Sequence, residues 1–270
     1  MKKSGLSLQV LVSTMHQKDM SLLDKMNIRT DAIVINQCDT DECISTIHRG
    51  HAVRWLSMRE RGVGLSRNTA LARATADILL FADDDVVYED DYEQKVISFF
   101  LKHPKVSVAV FNLPSQNPQR PEYMISKDHS LRWYNRLRYG ACRIAVRREC
   151  ILHNNVWFSL LFGGGAIYQA GEDNLFITEC LRRGMRGMAC KERIGVVKQE
   201  ASTWFKGYDE AYYRDRGALF AALYGVWGAL VLFLFEIRKK GKGSGIGLRK
   251  RLALGREGVK AFLRTRFCKP

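Results

Sequence analysis

Three consecutive aspartates, Asp83, Asp84 and Asp85, follow an apolar run over residues 78–82. Carboxylates are hard oxygen donors, and Mg²⁺ takes only one or two of them, leaving its other positions to water and to a substrate's phosphates; Mn²⁺ suits the same ligands. The cluster therefore predicts a divalent cation and a phosphorylated ligand. Aspartates also end strands as turn formers in solvated loops. Three in a row repel one another, however, and a counterion relieves that repulsion. A second acidic pair, Glu172 and Asp173, lies about ninety residues on, at the head of a helical pattern over 174–183 and shortly after Gly163, Gly164 and Gly165. Taken alone, these two acids fit a helix N-terminus, where the dipole favours negative charge.

The elements that must position these groups can be read from periodicity. Strand-length apolar runs alternate with helical patterns through the first half, as in a parallel sheet covered by helices. Strands are expected over 6–13, 31–35, 52–56 and 78–82, with helices over 18–26 and 65–74. A loop of low apolar content carries Asp39, Thr40 and Asp41. The aspartates then sit at the carboxyl end of a fourth strand, where open α/β sheets bind ligands. Further on, 92–101 reads as a helix, 106–111 and 143–146 as strands, and 113–121, with its three prolines, as a loop.

The stretch RGVGLSRNTALARATADILLFADDDVVY resembles the nucleotide-sugar glycosyltransferases of family 2, which have the GT-A fold. A helix start supplied by Gly62, Gly64, Ser66, Arg67 and Asn68 precedes a strand that ends in D-x-D, here Asp83 and Asp85. A second match is GGGAIYQAGEDNLFITECLRRG, whose Glu172 and Asp173 look like the family's E-D motif. The resemblance covers roughly residues 6 to 200. It implies an α/β chain with a Rossmann-like, mostly parallel sheet flanked by helices. Asp83 and Asp85 would hold Mn²⁺ or Mg²⁺ on the donor diphosphate, and Asp84 would meet the ribose or the sugar. Arg67 and Asn68 would bind the nucleotide. Asp173, with Glu172 beside it, would take the proton from the acceptor hydroxyl, and direct displacement with one base inverts the anomeric centre. Gly164 and Gly165 would let an acceptor pass close to the backbone.

At the ends of the first two strands, Thr14 matches the family pattern, while Asn36 and Gln37 replace an acidic pair ahead of Asp39, Thr40 and Asp41. An amide donates and accepts, so Gln37 can still read a base edge such as uracil, and a UDP-sugar is the favoured donor. The chain lacks the Q-x-x-R-W motif of processive members, which points to transfer of single sugars. In STWFKGY, Trp204, Phe205 and Tyr208 offer faces to an acceptor sugar or belong to a core. No histidine stands where the family's metal-ligating one would; Lys198, Gln199 and Glu200 occupy that region.

Net charge is +15, and residues 236–270 hold twelve Lys or Arg against two Glu. Concentrated in a terminal segment and not interleaved with aromatics over a folded face, these charges argue against nucleic acid and for an anionic membrane surface. Residues 218–235 carry no charge. They are long enough to lie in the inner leaflet beside the basic tail, to form a core helix, or barely to span a bilayer. Two regions are expected, a catalytic domain over 1–207 and a membrane-associating segment over 208–270, with a glycan acceptor that is lipid-linked. Seven scattered cysteines and an N-terminus without a signal-peptide pattern fit the cytoplasm, at the inner face of the cell membrane. Two rival readings stand. One is a haloacid-dehalogenase-like phosphatase, whose D-x-D-x-[TV] signature Asp83, Asp85 and Val87 satisfy. The other is a membrane-binding module with an inert acidic loop.

Overall fold

The computed structural model describes residues 5–199, 207–239 and 245–267, so Glu200, Trp204 and Phe205 lie outside the described residues. Four parallel strands form the centre of a nine-stranded sheet: β1 (Leu8–Met15), β2 (Asp31–Gln37), β4 (His51–Met58) and β5 (Ile78–Asp83). An edge strand, β3 (Glu42–His48), pairs antiparallel with β4. On the other side β9 (Ile144–Arg147) runs antiparallel between β5 and β7 (Val108–Asn112). Then β10 (Gly187–Arg193) pairs parallel with β7, and the short β8 (His129–Ser130) closes the edge. A separate two-stranded ribbon joins β6 (Val86–Tyr88) to β11 (Gly195–Val197), directly after the aspartates.

Helices cover both faces, which is why the central strands read as continuous apolar runs. Successive side chains of β1 point to opposite faces. Val10 and Val12 pack with the one-turn α1 (Leu22–Lys25) and with α3 (Tyr92–Lys102). Leu11 packs with α2 (Val63–Arg73) and α5 (Glu172–Arg182). A short α4 (Arg148–His153) follows β9. The helix expected over 18–26 shrinks to a single turn because Asp19 accepts a hydrogen bond from the Ser21 N–H and holds a turn there. Strand β3 was not expected. Its exposed face carries Cys43, Ser45 and Ile47, and its turn at Arg49 and Gly50, both at positive φ, is a two-residue hairpin.

The uncharged stretch 218–235 does not form one rod. Residues Glu210–Arg238 have the length and hydropathy to cross a membrane, but the helix stops at Gly225, whose φ of 59° and ψ of −133° are not helical. A turn over Gly225–Trp227 reverses the chain, so α6 (Glu210–Tyr224) and α7 (Gly228–Lys239) fold back on each other. Phe220 meets Phe235 with ring centroids 5.3 Å apart. Such a hairpin is half the length that a span requires. The basic segment is also helical: α8 (Leu248–Phe267) packs along α6 and α7.

Two details hold these three helices together. Glu236 of α7 is 2 % exposed and pairs with Arg216 of α6 at 3.3 Å and Arg251 of α8 at 3.2 Å. Glycines let the backbones of α6 and α8 touch, since a Cβ on Gly217 would lie 1.9 Å from the Gly255 carbonyl oxygen. Gly217→Ala is therefore expected to force the helices apart, costing about 2 kcal/mol and lowering Tm by about 4–8 °C. A Tm within a degree of the parent in differential scanning calorimetry would show that the contact can relax.

These helices also pack against the loop before α5. Phe162 and Tyr168, on that loop, stack on each other and meet the Phe262 ring of α8 at a steep angle. The Gln169 N–H donates to Asp215 of α6 at 2.9 Å. Gly171, at φ 114°, has no room for a side chain because Leu219 of α6 fills that space.

Candidate active site

Strand β5 ends in Asp83, and the register of the parallel sheet sets Ser13 of β1 beside it. The next residue of β1, Thr14, donates its hydroxyl to Asp84 at 2.6 Å and accepts from the Gln17 amide at 3.0 Å. Asp85 turns the chain into β6, and its carbonyl accepts from the Lys198 N–H at 3.0 Å. Burial, then the charges of Asp83 and Asp84, push the Asp85 carboxyl up to about 6. Asp84 is also raised, first by burial. Carboxylates held this close and this dry have charge to spare for a cation.

Arg67 joins the two acidic motifs. Projecting from α2 with its side chain 4 % exposed, it pairs through Nη2 with Asp83 at 2.7 Å and through Nη1 with Glu172 at 2.7 Å. Its guanidinium lies over the Phe158 ring at 5.3 Å. Burial opposes its charge, but the two carboxylates outweigh that and raise its pKa. One planar fork thus clamps the end of β5 to the start of α5, which the fixed geometry of arginine suits better than lysine.

Helix α5 starts at Glu172, two residues earlier than the sequence pattern suggests, with Gly171 ahead of it in the left-handed region. Both acids consequently stand in the first turn. Their surroundings differ. Glu172 is tied to Arg67, whereas Asp173 is given no cation: its Oδ1 accepts from the Asn174 backbone at 2.6 Å and from the Asn174 amide at 2.8 Å. It is partly exposed, while protein atoms fill most of its surroundings. That desolvation, then Glu172, raises the Asp173 carboxyl to about 7.

Other expected donor-site residues turn out to hold the frame. Asn68 uses both ends of its amide on the Phe158 backbone, at 2.9 and 2.8 Å, and so pins the segment that leads to the glycine loop, in place of the expected nucleotide contact. Gln37 is buried and accepts from the Gly62 N–H at 2.8 Å, so it fixes the start of α2 and presents no free amide to a base. Asp39 is exposed, pairs with Arg61 at 2.5 Å and stands at the rim of a cavity of about 390 Å³. Asn36, Trp55 and Ser57 line that cavity beyond the ends of β1, β2 and β4.

Near Asp173, the buried Gly164 accepts from the Val63 N–H at 2.9 Å, while Gly165 is exposed. Gly163 lies so close to Glu172 that a Cβ would come within 2.9 Å of its carboxyl group. Leu160 and Ile167 on the same loop are exposed and were not expected to matter. Trp204 lies outside the described residues, and Tyr208 is exposed near the start of α6. Among the described residues, no three His, Cys, Asp or Glu gather as a ready-made metal cage. Asp83 and Asp85 still suit an ion that takes one or two carboxylates and fills its shell with phosphates. The elevated Asp85 is the observation that favours a cation there.

Residues 20–151 match the family model described as glycosyl transferase family 2. The chain carries a family 2 glycosyltransferase domain. The matched segment includes Arg67 and the three aspartates but ends before Glu172 and Asp173. Among solved structures, the glycosyltransferase is similar to residues 1–349 of S. aureus TarS in complex with UDP-GlcNAc. That match has 16 % identity and a TM-score of 0.64, covering 96 % of this chain and 90 % of that one. It is also similar to the mannosyltransferase PcManGT from Pyrobaculum calidifontis in complex with GDP-Man and Mn²⁺, at 14 % identity and TM-score 0.53, covering 99 % of this chain and 77 % of that one. No curated protein matches the chain. Likeness at this identity establishes the GT-A fold, whose mostly parallel sheet the strand order here reproduces.

Proposed function

We propose that the protein is a metal-dependent, inverting glycosyltransferase that moves a single sugar from a nucleotide-sugar donor to a hydroxyl of a glycan acceptor. One observation carries this reading: the Arg67 fork holds Asp83 and Glu172 together, so the strand-end carboxylates and Asp173 share one site. The solved neighbours in complex with UDP-GlcNAc and with GDP-Man support a nucleotide-sugar donor, and UDP is favoured.

The chain's own residues divide the work. The cavity between Trp55 and Asp39 takes the base, and Thr14 and Asp84 face the ribose. Arg67 contributes positive charge beside the diphosphate while keeping Glu172 in place. Asp83 and Asp85 would hold Mn²⁺ or Mg²⁺, which when bound neutralises charge growing on the leaving diphosphate. Asp173 takes the proton of the incoming hydroxyl. With Oδ1 occupied by Asn174, its other oxygen is left for that proton, and a carboxyl raised toward neutrality is matched to the task. Gly165 leaves the acceptor path open.

The membrane reading belongs to the same proposal. Val226 and Trp227 in the turn, with Leu230, Phe233, Leu234 and Ile237 of α7, are exposed apolar residues. With the basic residues of 208–270, they suit peripheral attachment at the inner surface of the cell membrane and an acceptor that is lipid-linked.

The test is a panel of UDP- and GDP-sugars with Mn²⁺, read by thermal shift and by release of nucleoside diphosphate. Metal-dependent nucleotide release with one donor is the expected result; phosphate release from sugar phosphates without any nucleotide would overturn the proposal in favour of a phosphatase. EDTA is expected to remove the activity and Mn²⁺ to restore it, whereas Asp85→Asn should lower turnover at saturating metal by about 100-fold. Full turnover in EDTA would remove the metal from the account.

A further inference from the structure

A cavity of about 980 Å³ lies away from the proposed catalytic centre, at the opposite end of α5 from Asp173. Six cationic side chains line it, Lys102, Lys105, Arg132, Arg136, Arg182 and Arg186, and no carboxylate does. Lys102 and Arg182 stand in the last turns of α3 and α5, where the helix dipole accounts for a positive charge. The other four have no such reason to gather.

Arg136 is the telling one. It is 5 % exposed, its Nε donates to the Thr178 hydroxyl at 2.7 Å, and Nη1 donates to the Trp133 carbonyl. It lies over the Tyr224 ring at 5.7 Å. A buried guanidinium is ordinarily matched by a carboxylate, because an uncompensated buried charge costs several kcal/mol, on the order of 3–5. Among the described residues its partners, Thr178, the Trp133 carbonyl and Tyr224, are neutral. An anion supplied from outside would balance that charge.

The position of the cavity narrows the source. Tyr224 ends α6, and Arg182 reaches across to the neighbouring Leu223 carbonyl. Two residues later, in the turn that leads into α7, Val226 and Trp227 are exposed. Trp133, at the cavity wall, is 74 % exposed. Anion-binding groups that border exposed aromatic and apolar residues match a molecule that is phosphate at one end and hydrocarbon at the other.

We infer that this cleft, with Arg136 at its floor, binds the phosphate of an anionic membrane lipid while the turn before α7 and Trp133 enter the interface. The inference rests on the membrane reading given above, but it assigns the headgroup contact to this cleft and not to α8. Docking would then be set by folded residues at fixed positions, so that the active site is held at a defined orientation over the bilayer.

The experiment compares the full chain with two triple variants by sedimentation with vesicles of equal parts phosphatidylcholine and phosphatidylglycerol. Lys105→Glu/Arg132→Glu/Arg186→Glu alters the cleft, and Arg249→Glu/Arg256→Glu/Lys260→Glu alters α8 by the same charge. The cleft variant is expected to lose about 100-fold in vesicle affinity, and the α8 variant less than about tenfold. The milder Arg132→Gln/Arg186→Gln variant should fall between if charge reversal harms folding. The inference is overturned if the cleft variants sediment like the parent, or if the α8 variant alone loses binding. Displacement by inorganic phosphate at equal concentration would replace the lipid with a soluble anion. Concentration-dependent dimers without vesicles, abolished by Trp227→Glu, would show that a second copy covers α7. Nucleotide release measured in vesicle-free solution should be equal in all variants, so an inactive parent would sink the proposed activity without touching the vesicle result.

Discussion

Asp173→Asn is expected to cut sugar transfer by about 10³-fold, within the range that a positioned general base contributes, while the donor dissociation constant stays nearly unchanged. Asn keeps the shape and the contacts of Oδ1 but cannot accept the proton. In the parent, kcat/KM should rise with pH as Asp173 ionises around 7, and this limb should vanish from the residual activity of the variant. Stability moves the other way. The folded chain holds a proton on Asp173 between the ordinary value of 3.8 and about 7, where the unfolded chain has released it. Folding is thus favoured below that window and loses stability as pH rises through it. The neutral Asn escapes this loss, so the variant should be more stable at pH 8 by about 1 kcal/mol, discounted for partial exposure, or about 2–4 °C in Tm, and no more stable at pH 4. Donor affinity falling in step with turnover would move Asp173 out of the base role.

Arg67→Met should be the most damaging single change in the site. Methionine fills similar volume but leaves Asp83 and Glu172, both at 2.7 Å from the guanidinium, without their shared cation. Removing one member of a buried ion pair costs about 3–5 kcal/mol, and here two carboxylates are stranded. We expect a large drop in the urea midpoint, with no detectable transfer. Arg67→Lys can serve only one partner at a time and should lie between. A Met variant with parental stability would mean that the clamp is dispensable.

Much of this arrangement can be read from residue order, and the reasons are physical. Strands buried on both faces spell continuous apolar runs, so β1, β2, β4 and β5 were expected close to where they occur. The three aspartates stand at a strand end as anticipated, since a run of carboxylates has few other places to go. Strand β3 escaped notice because only one of its faces is covered, and its Arg49–Gly50 turn carries a weaker signal than Asn-Gly. Side-chain partners are a different matter. Nothing in the order of residues says that Arg67 reaches Glu172, 105 positions away, or that Asn68 and Gln37 spend their amides on backbone. The break at Gly225 was equally hidden, because hydropathy measures length and composition and is blind to one residue's φ.

The contact of the Phe262 ring with Phe162 and Tyr168 ties α8 to the loop beside Asp173. During synthesis the sheet emerges first, yet that loop lacks this contact until α8 has left the ribosome. The nascent chain therefore sets the strand-end aspartates in place before the loop beside Asp173 gains the packing that fixes it.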